Sequence, residues 1–283
     1  MRVAVLVIAA VFSAGALNVP LRAQQGAAQP ANAPDVKALV FELANSMGML
    51  RGMQQEDSIV TLELWATGAV TTGQQRSEIS EYRMSLNYAV PGMRLDFAVK
   101  AGDPQPRRFI QVVSGAASWN EGERGKSATP MPGALKDRHA LHWTTPMGVV
   151  KAARLAGPNA KITTAGGVTT LSFPLPAPAQ DVTVNATVRK DQALVTAHPT
   201  ALKDLVGTYI TRVQTTGAVV TDTTYSEYGD WNWDDYKSDV MLPRRTVLTA
   251  FGQVLELTTK NTNTYNPYVV MPVPDNMRQA ASR

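Results

Sequence analysis

Val60-Thr61-Leu62-Glu63-Leu64-Trp65-Ala66-Thr67 alternates one class of side chain with another, and its period decides the fold. A repeat of two places Val60, Leu62, Leu64 and Ala66 on one face and Thr61, Glu63, Trp65 and Thr67 on the other, which predicts a half-buried strand. The pattern continues downstream. Tyr82, Met84, Leu86, Tyr88 and Val90 alternate with Arg83, Ser85 and Asn87, Pro91-Gly92 turns the chain, and Met93, Leu95, Phe97 and Val99 alternate with Arg94, Asp96 and Lys100. Adjacent segments of this kind predict an antiparallel meander.

Further strands follow from the same pattern at Phe109 to Trp119, Lys161 to Thr164, Thr169 to Phe173, Val182 to Arg189, Thr208 to Thr215 and Val219 to Tyr225. The last pair, Arg245 to Phe251 and Val254 to Thr262, turns at Gly252-Gln253. Gly166-Gly167 joins two strands as a hairpin. Ser118 to Gly122 reads as a turn, followed by a Gly/Pro/Lys-rich loop to about Lys136. Regular structure is expected to end near Asn266, because Pro267, Pro272 and Pro274 crowd the tail.

Two segments have a helical period instead. Val36, Leu39, Val40, Leu43, Met47 and Leu50 recur every three or four residues behind a capping Asp35, predicting a helix to about Gly52. Thr145-Pro146 supplies an N-cap with proline at the first helical position, and Gly157-Pro158 the stop; Met147, Val150, Ala153 and nearby Leu155 form the expected buried side. About ten strands and two helices, without strand-helix-strand alternation, predict an α+β fold that is mostly antiparallel β. Its form is a single strongly curved sheet, a half-barrel, with two helices on one face.

Arg2, the uncharged run Val3 to Leu21 and the site after Ala23 have the form of a secretory signal. The expected organisation is a signal peptide over 1–23, a flexible lead over 24–34, one β-rich domain over 35–278 and a tail over 279–283. A periplasmic or secreted protein without a stable membrane span follows, or one anchored by an uncleaved signal. Cysteine is absent, which excludes disulfides, thiolate metal sites and thiol nucleophiles. The net charge of +4 falls to +2 without Arg2 and Arg22, too little to suggest nucleic acid. Arg107-Arg108 and Arg244-Arg245 read as solvated strand edges.

No catalytic or metal motif stands out, and no cofactor is expected. His139 and His142 lie close in Asp137-Arg138-His139-Ala140-Leu141-His142 but have no further His or Cys near in sequence, so ordinary histidines outweigh a metal pair or an acid–base site with Asp137. His198 precedes Pro199 and reads as a turn residue. Gly-x-Ser-x-Gly is missing, and Glu121 with Glu123, or Asp234 with Asp235, are read as sitting in polar turns. The methionines are core filler rather than a soft-metal site.

Tyr225-Ser226-Glu227-Tyr228-Gly229-Asp230-Trp231-Asn232-Trp233-Asp234-Asp235-Tyr236 sets aromatic rings among acids and amides, as a partner-binding rim or a structural lid. Two binding roles follow. In the first, the curved sheet holds an apolar or lipid-like ligand lined by Leu62, Leu64, Met84, Leu86, Leu95 and Phe97, residues that equally fit a solid core. In the second, Trp231, Trp233 and Tyr236 dock an exported protein partner.

The order of helix, meander, Ser118-Trp119-Asn120, interrupting helix and closing hairpin resembles the periplasmic lipoprotein-carrier (LolA-like) architecture, a half-barrel with helices over its concave face. More narrowly, Trp143 to Ala153, Tyr225-Ser226-Glu227-Tyr228, Leu242-Pro243-Arg244-Arg245-Thr246 and Val273-Pro274 resemble an exported β module. In some bacterial proteins that module precedes a metallo-β-lactamase-fold hydrolase domain. The likeness spans roughly Leu43 to Arg278. It implies a carrier-like shape but no hydrolysis, since His-x-His-x-Asp-His does not occur and Gly229 to Asp239 looks inserted.

Overall fold

The alternating segments pair into antiparallel ladders in the computed structural model, which describes residues 35–51, 53–100, 105–193, 206–231 and 240–280. The signal, the lead, His198, Trp233 and Tyr236 lie outside the described residues. The chain begins with α1 (Val36–Ser46), β1 (Leu50–Arg51) and β2 (Glu56–Asp57). A first meander follows: β3 (Thr61–Thr72), β4 (Gln75–Asn87), β5 (Gly92–Lys100), β6 (Arg107–Ser114), β7 (Ala117–Glu121) and β8 (Thr129–Pro130). After α2 (Leu135–Trp143) and α3 (Pro146–Ala156), a second meander comprises β9 (Lys161–Ala165), β10 (Val168–Pro174), β11 (Val182–Ala193), β12 (Val206–Gly217), β13 (Thr221–Gly229), β14 (Leu242–Ala250) and β15 (Gln253–Asn263). A short α4 (Asp275–Ala280) ends the described chain.

The sheet order is β8-β7-β6-β5-β4-β3-β15-β14-β13-β12-β11-β10-β9. Each meander starts or ends at the middle, where β15 pairs antiparallel with β3, so the closing hairpin sits at the centre of the sheet. The outer strands β8 and β9 do not meet, which leaves a curved, open half-barrel. Bulges interrupt the register between Ala66 and Gly68 on β3 and between Thr259 and Asn261 on β15, and such bulges bend and twist a sheet. At that bend β3 and β15 nearly touch: a Cβ on Gly68 would lie 1.9 Å from the carbonyl oxygen of Glu256.

The helix-bearing face holds the main core, built from the alternate residues read in the sequence: Leu62 and Ala66, Tyr82, Met84 and Leu86, Met93, Leu95 and Phe97. Val60 instead precedes β3 and is half exposed. Asp35 caps α1 through its carboxylate and the Lys37 amide, but α1 ends at Ser46 rather than Gly52, and Gly48 turns the chain with φ of 67°. Met47, Met49, Met93 and Met147 are fully buried core. In α3 Thr145 Oγ1 accepts from the Gly148 amide at 3.2 Å, while Met147, Val150 and Ala153 are buried. Leu155 is not part of that face; it points to solvent. Thr145→Ala should cost about 1 kcal/mol in urea unfolding, with Thr145→Ser close to wild type.

Several expectations change here. Ser118-Trp119-Asn120 lies within β7, because the turn comes earlier at Gly115, whose φ is 54°. The loop read up to Lys136 closes at Leu135, where α2 begins, a third helix on the inner face. Tyr225 to Gly229 belongs to β13 rather than to an aromatic loop. Thirteen strands, not about ten, form the large sheet.

The prolines near the C-terminus do not end the structure. That segment lies across the outer face, where Val269, Met271 and Met277 pack on Ile110, Val112 and Trp119 as a second core. Asn87 Nδ2 donates to the Val269 carbonyl at 2.8 Å and Thr61 Oγ1 to that of Asn266 at 2.9 Å. Ion pairs are buried beneath or beside it. Glu121 is therefore not a solvated turn residue: Arg94 grips its carboxylate at 3.0 and 3.1 Å, and Trp119 Nε1 and the Gly125 amide complete the shell. Arg107-Arg108 and Arg244-Arg245 lie on interior strands rather than edges; Arg108 forks onto Asp96 at 2.7 and 2.9 Å. No helix among the described residues is long and apolar enough to cross a membrane.

Candidate functional site

The helices do not cover the inner face evenly. α2 packs on β5, β6 and β7, α1 on β12, and α3 on β10, so the two flanks of the half-barrel are roofed. Over the central strands the roof narrows to Leu141 from α2 and Thr145-Pro146 at the junction of α2 and α3. A groove of about 630 Å³, counting its opening to solvent, lies beneath them. Its floor is Leu62 and Leu64 of β3, Tyr82 and Met84 of β4, Thr223 and Tyr225 of β13, Leu242, Pro243, Thr246 and Leu248 of β14, and Leu255, Leu257 and Thr259 of β15. A second groove of about 490 Å³ shares Tyr82, Leu141, Leu248 and Leu255 with it and adds Ile79, Leu95, Phe97 and Phe251.

Four of the lining leucines are only half buried: Leu64, Leu141, Leu248 and Leu255. The floor therefore presents apolar surface that the protein's own packing leaves open. Among the described residues, no Asp, Glu, His, Lys or Arg lines either groove. The hydroxyls that do line the main groove are mostly committed: Tyr225 Oη donates to the Thr144 carbonyl at 2.7 Å, Thr259 Oγ1 to that of Pro243 at 2.9 Å, and Thr145 Oγ1 meets Tyr88 Oη at 3.0 Å. Burial pushes the phenols of Tyr82 and Tyr225 up from their ordinary value, so both remain protonated and neutral. Such a surface can enclose aliphatic chain.

The six sequence candidates separate here. Leu62, Leu64 and Met84 line the main groove and Leu95 and Phe97 the second, while Leu86 lines neither and is fully buried core. Trp231 is partly buried: Nε1 donates to the Leu242 carbonyl at 2.7 Å and the Arg244 guanidinium lies 5.3 Å from its ring centre. That tryptophan braces the strand bearing the groove. Sequence reasoning missed the contributions of β14 and β15 to the floor, although Leu248, Leu255 and Leu257 share the same period of two.

No family model matches the chain. No curated protein does either. Among solved structures, a DUF1329 family protein from Desulfovibrio piger is similar at 13% identity and a TM-score of 0.38, over 82% of this chain and 94% of that one. It adds no ligand or residue to the groove.

The histidines stand outside the grooves. Both lie in α2, not at a loop, with His139 Nε2 against the Gly115 carbonyl at 2.7 Å and His142 Nε2 against that of Asn87 at 3.0 Å. Arg138 beside them donates to the carbonyls of Val112 and Trp119, so this polar stretch fastens α2 to the sheet. No group of three His, Asp or Glu placed to hold a metal exists among the described residues.

Burial pushes the His142 imidazole down to about 3 from 6.5, and lowers that of His139. Each takes up a proton more readily in the unfolded chain, so their contribution to stability is complete above about pH 6.5 and is lost as pH falls toward the folded value. Burial raises the Glu63 carboxyl, but hydrogen bonds from Asn266, Arg83 and Ser85 and the Arg83 charge hold it below 4.5, so its loss comes at lower pH. Stability in urea unfolding should therefore fall between pH 6 and 4.5 with a slope approaching about 1.4 kcal/mol per pH unit from His142, and His139 adds to it in the same direction. His142→Gln should remove one such increment; an unchanged slope would contradict the burial of a neutral ring.

Proposed function

We propose that this chain is an exported, non-catalytic binding protein that holds an apolar, lipid-like ligand in the groove of its curved sheet. The observation that carries the reading is the uncharged, incompletely covered floor between two helix-roofed flanks, with Leu64, Leu248 and Leu255 half buried at its opening. Apolar surface left open in a concavity gains free energy when a ligand covers it, at about 25 cal/mol per Å². The carrier role implied by the lipoprotein-carrier likeness agrees with this geometry, and the secretory pattern of Arg2 to Ala23 supports a periplasmic or secreted location. The described lining residues carry no charge at neutral pH, which supports a role without catalysis.

Titration with the neutral fluorescent probe N-phenyl-1-naphthylamine tests it. Wild type should bind saturably with a fluorescence gain, and Leu248→Trp combined with Leu255→Trp, which fill the part common to both grooves, should weaken binding by roughly tenfold or more. Unchanged binding by a double variant that melts like wild type would place the probe elsewhere and remove the groove from the account.

A further inference from the structure

Five tyrosines are buried among the described residues, and four have partners for their hydroxyls. Tyr88 meets Thr145 Oγ1 at 3.0 Å, and Tyr209, Tyr225 and Tyr228 donate to the carbonyls of Ser46, Thr144 and Ile210 at 3.0, 2.7 and 2.6 Å. Tyr82 is the fifth. Only 5% exposed, it lines both grooves, and among the described residues its hydroxyl makes no hydrogen bond. The hydroxyl is not sealed but opens onto the groove, and a ligand that displaced water from it without replacing the hydrogen bond would leave the O–H unpaired, which is costly. A ligand that fills the groove and offers an acceptor oxygen at Tyr82 would satisfy it.

The surroundings limit what that oxygen belongs to. A carboxylate buried here would find no Lys, Arg or His among the described residues of either lining to offset its lost hydration. An ester carbonyl accepts a hydrogen bond without carrying charge. Building on the apolar-ligand reading above, we infer that the groove takes the acyl chain of a lipid ester, whose carbonyl oxygen accepts from Tyr82 Oη, and discriminates against the free fatty acid. Met84, two residues along β4 from Tyr82, and Leu64 of β3, opposite Met84, would lie along the chain.

Displacement of N-phenyl-1-naphthylamine by methyl decanoate and by decanoate at pH 8, on wild type and Tyr82→Phe, tests this. The ester should compete more strongly than the anion by roughly tenfold or more, since only the anion must be buried as an unpaired charge. Tyr82→Phe should weaken the ester by about fivefold relative to the probe, which carries no carbonyl, the usual effect of one neutral hydrogen bond. Equal competition by ester and anion, or an ester affinity untouched by Tyr82→Phe, would overturn the inference while the groove itself still binds the probe. Failure of the probe to bind wild type at all would instead sink the apolar-ligand reading on which the inference rests.

Discussion

Arg94→Ala is expected to destabilise the protein by about 3–5 kcal/mol, the range found when one member of a buried ion pair is removed. The side chains of Arg94 and Glu121 are 11% and 2% exposed, and the guanidinium supplies two of the hydrogen bonds on the carboxylate. Without it Glu121 keeps only Trp119 Nε1 and the Gly125 amide as donors, and a full charge stays buried on the outer face. Replacing both partners removes that charge, so Arg94→Leu combined with Glu121→Leu should recover much of the loss. Urea unfolding of the single and double variants measures both, and a single variant within about 1 kcal/mol of wild type would mean that water reaches Glu121.

Val150→Asp should be more severe still. Val150 is fully buried on α3, the helix that ties α1 to the sheet through β10. An aspartate there has no cation supplied for it, and the cost of an unpaired buried charge exceeds about 4 kcal/mol, a large share of the 5–15 kcal/mol that folds a typical domain. The variant is expected to lack a cooperative melting transition by circular dichroism. A wild-type melting temperature would mean that α3 rests on no core and that the roof of the half-barrel is misplaced.

The residues that were legible are those whose neighbours in space follow from neighbours in sequence. Period-two alternation marked β3, β4 and β5, Gly166-Gly167 turned a hairpin with φ of 55° and 76°, and Thr145-Pro146 opened α3. α2 was illegible because it has no single apolar stripe. Arg138, His139 and His142 are buried as thoroughly as Ala140 and Trp143, and Arg138 Nη1 and the Nε2 of each histidine meet carbonyls far away in sequence. Glu63, Asp96 and Glu121 sit at alternating polar positions and look solvated. Only arginines from other strands of the sheet, with the C-terminal segment lying across part of that face, make them buried.

The groove was half legible for a related reason. Alternation identifies which residues face inward, and so found Leu62, Leu64 and Met84, but it says nothing of which inward residues a helix then covers. That depends on α2 and α3 landing on opposite flanks, a matter of packing between elements far apart in sequence. Leu86, on the same face and the same strand as Met84, is sealed, while Leu64 across from Met84 remains half open.

The most direct test is organic extraction of the protein purified from the native envelope without detergent, followed by lipid mass spectrometry with quantification against protein. The account predicts an apolar, ester-containing lipid near one per chain in wild type and strongly reduced in the Leu248→Trp, Leu255→Trp variant. Lipid-free wild-type protein that also fails to take up N-phenyl-1-naphthylamine would contradict it.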